Sequence, residues 1–236
     1  MDTTTPIRLL WLLQLSDSAL PIGAMNQSFG LENLVAEESL KVDELETFMS
    51  DYLCEVSWFE GSFCGAAYRL GVEATADFQL QRWLDLNARF GAFKLARESR
   101  VASATLGRRL LELAGTLSQS ATLSAASAAA RQSGVDVHHC AAFGLTGAAL
   151  GIDEEATLLA YLHQSLTNLV SACQRLLPLG QRQATRMLWN LKPVLAALVK
   201  DAIQRECDVN EVACFAPLLE LGSMRHPSLA TRLFIS

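Results

Sequence analysis

The sequence contains little charge for its length. Only 19% of its 236 residues are Asp, Glu, Lys or Arg, against about 25% in an average soluble domain, while 50% are apolar. This composition excludes a largely disordered chain, because the apolar residues suffice to build a core, and the length favours one domain. The net charge of −6 disfavours binding to nucleic acid, so we expect no nucleic-acid partner.

The sequence also lacks closely paired cysteines. None of its six cysteines forms a C-x-x-C pair, and they are spread along the whole chain. This spacing is typical neither of a zinc ribbon nor of a disulfide-rich scaffold. We therefore expect reduced, mostly buried thiols in a cytoplasmic protein. The six are Cys54, Cys64, Cys140, Cys173, Cys207 and Cys214.

Motifs of several common enzyme classes are missing as well. There is no G-x-x-x-x-G-K-[ST] phosphate loop, no G-x-G-x-x-G after a strand, no G-x-S-x-G and no H-E-x-x-H. Only four histidines are available for acid–base catalysis or metal binding. These absences favour a binding or assembly protein over an enzyme.

Helical periodicity dominates the chain, and strand patterns are nearly absent. Asp43, with Glu46 three residues later, is predicted to cap one helix, and Asp153 to cap another. The sequence predicts one all-α domain over residues 1–236, a helical bundle of about nine or ten helices with a flexible C-terminal tail from about residue 223. Other helices are expected over residues 77–93, 94–117, 123–132, from about 138, over 181–206 with a candidate kink at Pro193, and over 211–221.

An apolar run near the start, Leu9 to Leu15, has the look of a secretory signal. Its positive leading region is poor, and Asp17 stands where a cleavage site would need small residues. We therefore expect a buried first helix. The apolar stretch Cys140 to Ile152 is too short and too glycine-rich to span a bilayer, so no membrane partner is expected.

Charge is unevenly distributed along the chain. Residues 1–60 hold eleven acidic and two basic residues, a net −9, whereas residues 82–109 hold seven basic and two acidic residues, a net +5. One interpretation is that this polarity steers a partner protein. Another is that the charges face each other or water. A third, a nucleic-acid-binding stripe from Arg82 to Arg109, must overcome the overall negative charge.

His138, His139 and Cys140 form the most suggestive local group. Imidazole and thiolate suit nickel, zinc or copper, which makes a helical metal-dependent enzyme the alternative function. Adjacent helical residues point about 100° apart, however, so three consecutive side chains converge poorly on one ion. The competing interpretation is a helix start with one hydrogen-bonded histidine.

Five blocks of sequence, in order along the chain, form a distinctive set. The first block combines Leu12 to Gly23 with the run Ser28-Phe29-Gly30-Leu31-Glu32. The other blocks are Lys94–Ser103 with Gly107–Leu111, then His138 with Phe143-Gly144, then Arg175–Gln181, and last Met224–His226 with Arg232–Phe234. Together these blocks resemble the urease accessory protein F family, UreF. Two positions depart from the usual family pattern: Gln27 replaces a common histidine, and Ile235 replaces the arginine of a terminal R-L-F-R-S.

The resemblance implies a non-enzymatic chaperone for urease maturation. UreF-like proteins form homodimers, bind the accessory protein D/H and the GTPase accessory protein G, and dock on apo-urease. The assembly aids GTP-dependent nickel delivery to the enzyme. The resemblance therefore implies no stably bound cofactor in this chain, because the complex handles nickel and the partner GTPase binds GTP.

Site residues follow from the matching motifs together with their chemistry. His226, Arg232, Leu233 and Phe234 are expected to order on the D/H protein. Arg175 is expected to contact acidic groups of the GTPase, with a structural role at a helix end as the alternative. Glu98 and Arg100 could equally pair within the bundle. The full partner-binding set is Arg175, Gln181, Glu32, Glu98, Arg100, His226, Arg232, Leu233 and Phe234, and the expected turn residues are Pro21, Gly23, Gly30, Pro178 and Gly180.

Overall fold

A computed structural model describes residues 4–73, 79–205, 209, 212 and 217–235 of the chain. Within those residues the structure is all-α, which confirms the predicted fold class. Twelve α-helices lie in the described part, and two of them, α10 and α11, divide a segment predicted as one. The helices are α1 (Thr4–Leu15), α2 (Leu31–Ala36), α3 (Leu45–Val56), α4 (Ser62–Glu73), α5 (Leu80–Phe93), α6 (Arg97–Ser118), α7 (Ala121–Ser133), α8 (His139–Ala149), α9 (Glu154–Leu176), α10 (Gln181–Asn190), α11 (Lys192–Arg205) and α12 (Pro217–Arg225).

Helix ends test the capping predictions. Asp153 caps α9 as expected, since its Oδ1 accepts a hydrogen bond from the backbone N–H of Ala156 at 2.8 Å. The prediction for Asp43 was wrong: residues Val42–Glu44 form a 3₁₀ turn, and α3 begins only at Leu45. The candidate kink at Pro193 is a helix boundary, because proline fits the first turn of α11 but not a helix interior.

Some predicted features fall on undescribed residues. The expected starts of helices at Asp77 and Glu211, and the expected end at Glu206, lie outside the described residues. Cys207 and Cys214 lie there too, whereas Cys54, Cys64, Cys140 and Cys173 are free thiols and all but Cys54 are buried.

Helix α8 forms the centre of the bundle. Every residue from His139 to Gly147 is buried, and the helix packs chiefly against α4 and α6. The approach of α6 to the start of α8 is close at Gly107, where a Cβ atom would clash with the carbonyl oxygen of Val137 and the backbone of His138. A missing side chain is therefore a packing requirement at that position.

A π-helical turn joins α3 to α4. Residues Ser57–Gly61 adopt this turn, so the two helices run on as one irregular segment. Such turns insert a residue and redirect the side chains around it. Here the turn contains Glu60, whose side chain forms an ion pair with Lys94 at 2.7 Å.

The first helix differs from its prediction. Residues Thr5 to Trp11 are all exposed, and Leu15 is the buried residue at the end of the helix. Leu9, Leu10 and Leu13 are 56%, 59% and 57% exposed, so the expectation of a buried first helix was wrong. An apolar run in a sequence indicates that its side chains need burial, but it does not specify which element buries them. Among the described residues, no helix is long and apolar enough to cross a membrane.

The basic segment between Arg82 and Arg109 is largely engaged within the protein. Arg100 donates a hydrogen bond to the carbonyl of Lys94 at 2.7 Å, and Arg109 to that of Ile22 at 3.0 Å. Arg82 forms an ion pair with Glu73 at 2.8 Å. These contacts favour the interpretation in which the charges are paired internally.

Two glycines of α6 provide a matched test of the packing at its centre. Gly107→Ala should lower the free energy of unfolding by about 1–3 kcal/mol, because the added methyl group meets backbone atoms that cannot yield. Gly115→Ala should raise it by about 0.4–1 kcal/mol, since its Cβ would lie an ordinary 3.6 Å from Leu123. Urea unfolding of both variants measures the difference, and equal effects would contradict this packing.

Candidate functional site

The C-terminal segment lies against the bundle. After α12, a 3₁₀ turn at His226–Ser228 leads into the last residues, which run back past α2. His226 is fully buried, and Phe234 is 5% exposed. The expectation of a free tail that orders only on a partner is therefore corrected: in this structure the tail is already packed on its own protein.

The carboxylate of Glu32 holds this tail. Glu32 lies in the first turn of α2 and is 5% exposed. Its Oε1 accepts a hydrogen bond from the backbone N–H of Leu233 at 2.6 Å, and its Oε2 accepts one from that of Phe234 at 3.2 Å. One side chain thus fixes two consecutive peptide units of the tail.

His226 links two carboxylates. Its Nε2 lies 2.9 Å from Oε2 of Glu32, and its Nδ1 lies 2.7 Å from Oε2 of Glu98. Ionised carboxylates only accept hydrogen bonds, so the ring lies where its N–H groups can donate to them. Arg232 places a positive group 3.7 Å from Glu98. We call Glu32, Glu98, His226 and Arg232 the tail clamp.

The clamp changes the acidity of Glu32. Burial alone would raise its pKa, but the hydrogen bonds from the Leu233 amide, from His226 and from the Phe234 amide outweigh burial and hold the pKa below its ordinary value of 4.5. Glu32 is therefore stabilised in its ionised form, which is the form that accepts all three hydrogen bonds.

Close backbone contact brings α12 onto α2. Gly30 has a φ of +90°, and a Cβ there would clash with the carbonyl oxygen of Leu219 and the backbone of Ser223. Gly222 makes the reciprocal approach to the backbone of Gly30. The Oγ atoms of Ser99 and Ser223 lie 2.7 Å apart at the same crossing. Glycine at position 30 is needed for its backbone conformation as well as for space.

Arg175 joins the same region from the end of α9. Its guanidinium group stacks 4.1 Å from the centre of the Phe234 ring. It also donates hydrogen bonds to the carbonyl oxygens of Met25 at 3.1 Å and of Leu233 at 3.4 Å. The backbone N–H of Ile235 bonds to the carbonyl of Asn26 at 2.9 Å. Arg175 remains solvent-exposed while it covers the tail.

The structure thus gathers most of the expected site residues but not all of them. Gln181 lies at the start of α10 and pairs with Gln174, and Arg100 turns to the carbonyl of Lys94. The turn residues lie in two separate connections: Pro21 and Gly23 follow α1, and Pro178 and Gly180 join α9 to α10.

Sequence reasoning missed several contributors. Glu220, which accepts a hydrogen bond from the Ala96 amide at 2.8 Å, was not singled out, and neither were Gly222 and Ser223. The small pair Gly222-Ser223 inside an otherwise bulky helix was the available signal, because small residues mark close approaches between helices.

The side chains of His138 and His139 diverge, because α8 begins at His139 and His138 precedes it as an extended N-cap residue. The Nδ1 of His138 faces the Oγ of Ser103 at 3.3 Å, whereas His139 packs against the ring of Tyr161. Burial lowers the pKa of each histidine to about 4, with nearby Glu60 opposing that shift. Burial raises the pKa of Cys140 well above its ordinary value, so its thiol is a poor metal ligand or nucleophile.

A buried polar cluster lies beside this group. Burial would raise the pKa of Glu60, but the Lys94 ammonium and the hydroxyl of Tyr161, which donates to Glu60, hold it below its ordinary value. Within the residues that the structure covers, no group of three or more His, Cys, Asp or Glu side chains is arranged to hold a metal ion. The geometry therefore gives the metal-dependent enzyme no support.

Apolar side chains project outward from α12 and the tail. Leu233 and Ile235 are 63% and 68% exposed while their neighbour Phe234 points inward. Large exposed apolar surfaces on a folded protein mark interaction sites. We call this the tail surface, and its members are Leu218, Leu221, Met224, Leu233 and Ile235.

Acid should release the tail. Because the pKa of Glu32 is lowered in the folded protein, its stabilising contribution is complete above pH 4.5 and declines as the pH falls through the folded value. Hydrogen exchange at the Leu233 and Phe234 amides should become faster relative to the core over that range. In Glu32→Gln this pH dependence should vanish, and an unchanged profile would contradict the role of Glu32.

Removing the ring of His226 should lower the free energy of unfolding more than removing the ring of a histidine outside the clamp. His226→Ala leaves the carboxylate of Glu32 buried without its ring partner and should lower the free energy of unfolding by about 3 kcal/mol. His163→Ala is the control, since His163 is only half-buried and lies on α9, away from the clamp. Urea unfolding compares the two, and equal losses would refute the bridging role.

Comparison with known proteins identifies the family of the chain. Residues 41–192 match the sequence model of the UreF family. A urease accessory protein UreF from Picosynechococcus sp. is 36% identical over 233 residues, spanning 97% of this chain and 98% of that protein. A protein of the same name from Nostoc sp. is 34% identical, and the match covers 100% of both chains. Another, from Paenarthrobacter aurescens, is 35% identical, and the match covers 96% of this chain and 97% of that protein. The chain belongs to the UreF family of urease accessory proteins.

Proposed function

We propose that this protein is a non-catalytic, cytoplasmic scaffold for urease activation. As a homodimer, it binds the accessory protein D/H and the GTPase accessory protein G, and the assembly docks on apo-urease for GTP-dependent nickel insertion. Family membership supports the general role. The observation that carries the scaffold is the tail surface, an exposed apolar patch held in place by a buried polar clamp.

The tail surface suits a protein partner. Its side chains are leucine, isoleucine and methionine, and two of them, Leu233 and Ile235, lie on a backbone that the clamp has already ordered. A surface ordered in advance loses less conformational entropy on binding than a free tail would. We therefore assign the D/H protein to this surface. The clamp residues contribute by orienting Leu233 and Ile235 outward, and direct contact is left to the exposed side chains.

Arg175 and Gln181 are assigned to the GTPase. Both are exposed, and they flank the short connection between α9 and α10. Arg175 also touches Phe234 and the Leu233 carbonyl, so a partner that draws the guanidinium group away loosens the tail. A scaffold of this kind couples its two partners, because each binds better to one arrangement of the shared residue than to the other.

Charge placed on the tail surface should weaken binding of the D/H protein. Leu233→Glu with Ile235→Glu puts two carboxylates at exposed positions, so the fold should survive while affinity falls about 30-fold or more, the loss typical of an interface hot spot. Val72→Glu is the control, since Val72 is 60% exposed on α4. Isothermal titration with the purified D/H protein measures both.

A second arm uses the GTPase. Arg175→Ala should weaken binding of protein G, and urease activation in a reconstituted mixture should fall with it. If Val72→Glu loses as much affinity for the D/H protein as Leu233→Glu with Ile235→Glu, the assignment of that partner to the tail surface is refuted. Full urease activation by the protein truncated after Gly222 would refute it too.

A further inference from the structure

The π-helical turn between α3 and α4 borders a small cavity inside the bundle. The cavity measures about 70 Å³, and α3, the turn itself, α6, α8, α9 and α12 contribute to its walls. A molecule of liquid water occupies about 30 Å³, so the cavity has room for about two waters or one solute of similar volume. π-helical turns are frequent at functional sites.

Two buried polar atoms of the cavity residues have no hydrogen-bond partner among the described residues. They are Oδ1 of Asn168 on α9 and Nε2 of His139 on α8. Asn168 is 9% exposed and His139 is 7% exposed. Buried polar atoms are paired in the great majority of cases, because an unpaired one destabilises the folded state. A bound molecule that pairs with both atoms is therefore favoured.

The two atoms define the hydrogen bonds that such a molecule must form. The amide oxygen of Asn168 only accepts, so the molecule must donate to it. Burial lowers the pKa of His139 to about 4, so the ring is neutral at pH 7 and its Nε2 donates or accepts according to the tautomer. A molecule with both a donor and an acceptor, such as water or a primary amide, suits either tautomer.

The charges around the cavity favour an uncharged molecule. The carboxylate of Glu60 pairs with the ammonium group of Lys94 at 2.7 Å and accepts a hydrogen bond from the hydroxyl of Tyr161. The charges of this pair cancel, so an ion entering beside it would lose its hydration without gaining an unpaired opposite charge. Glu55 and Glu220 also line the cavity, but both residues are partly exposed to water.

The rest of the wall is largely apolar. Rings and aliphatic side chains surround the polar atoms, which is the usual composition of a small-molecule site: apolar walls with a few convergent polar groups. The helix that carries the tail, α12, supplies one of these side chains. The apolar members are Phe29, Val56, Phe59, Leu106 and Leu219.

We propose that this cavity is a binding site for a small uncharged molecule that donates a hydrogen bond to Oδ1 of Asn168 and forms a second one with Nε2 of His139. The volume and the hydrogen-bond pattern restrict the molecule to ordered water or a small solute with a primary amide group. The site is separate from the tail surface and does not rest on the proposed function.

Nitrogen NMR of the His139 ring tests binding of a solute, with acetamide as the probe. Acetamide titrated into the full-length wild-type protein should shift the His139 signal until the shift saturates. In Asn168→Leu, which removes the acceptor, the affinity for acetamide should fall about fivefold or more, the loss expected of one hydrogen bond. Asn190→Leu is the control and should leave the affinity unchanged, because Asn190 is exposed on α10.

Magnetic relaxation dispersion of water oxygen distinguishes water from a solute. If acetamide leaves the His139 signal unshifted, the wild-type protein should hold long-lived waters that Asn168→Leu loses, and the bound molecule is then water. Absence of both the saturable shift and these waters would overturn the proposal. Equal affinities of the wild-type protein and Asn168→Leu for acetamide would overturn it as well.

A crystal structure of the wild-type protein provides a readout that needs no substitution. Electron density for water or added acetamide should lie within about 3.2 Å of both Oδ1 of Asn168 and Nε2 of His139. A cavity without such density would contradict the assignment.

Discussion

The carboxylate of Glu32 is the group on which the arrangement of the C-terminal segment depends. It is nearly buried, yet it stays ionised because two tail amides and the ring of His226 satisfy its oxygens. A buried charge without such partners destabilises the folded state, so the tail, the ring of His226 and the carboxylate of Glu32 stabilise one another. The contact spans about two hundred residues of sequence and closes the last segment of the chain onto one of the first.

That closure determines which groups remain available to partners. By directing Phe234 inward, the clamp turns Leu233 and Ile235 outward on either side of it. Arg175 covers the inward ring from outside and stays accessible. Residues expected to bind partners thus divide into two kinds: those that hold the tail and those that the held tail exposes. The apolar helix α1 provides a separate surface that the clamp does not touch.

Much of the fold was predictable because helices depend on local pattern. The apolar spacing and the cap at Asp153 located most of the helices to within a few residues. The failures have local causes too. Asp43 competes with a 3₁₀ turn that starts one residue earlier, and the π-helical turn around Glu60 has no signature in residue type. Helical spacing separates His139 from Cys140, whereas His138 precedes α8 as an extended N-cap residue.

The sequence by itself determined the fold class and the family, and it singled out Glu32, Glu98, Arg175, His226 and the Arg232–Phe234 run, which stand in recognisable motifs. Only the tertiary structure decided which of them contact one another, because Glu32 and His226 lie 194 positions apart and no periodicity relates them. The same holds for α1. Its leucines indicated a need for burial, but their exposure depends on which elements approach it, and among the described residues no element covers its outer face.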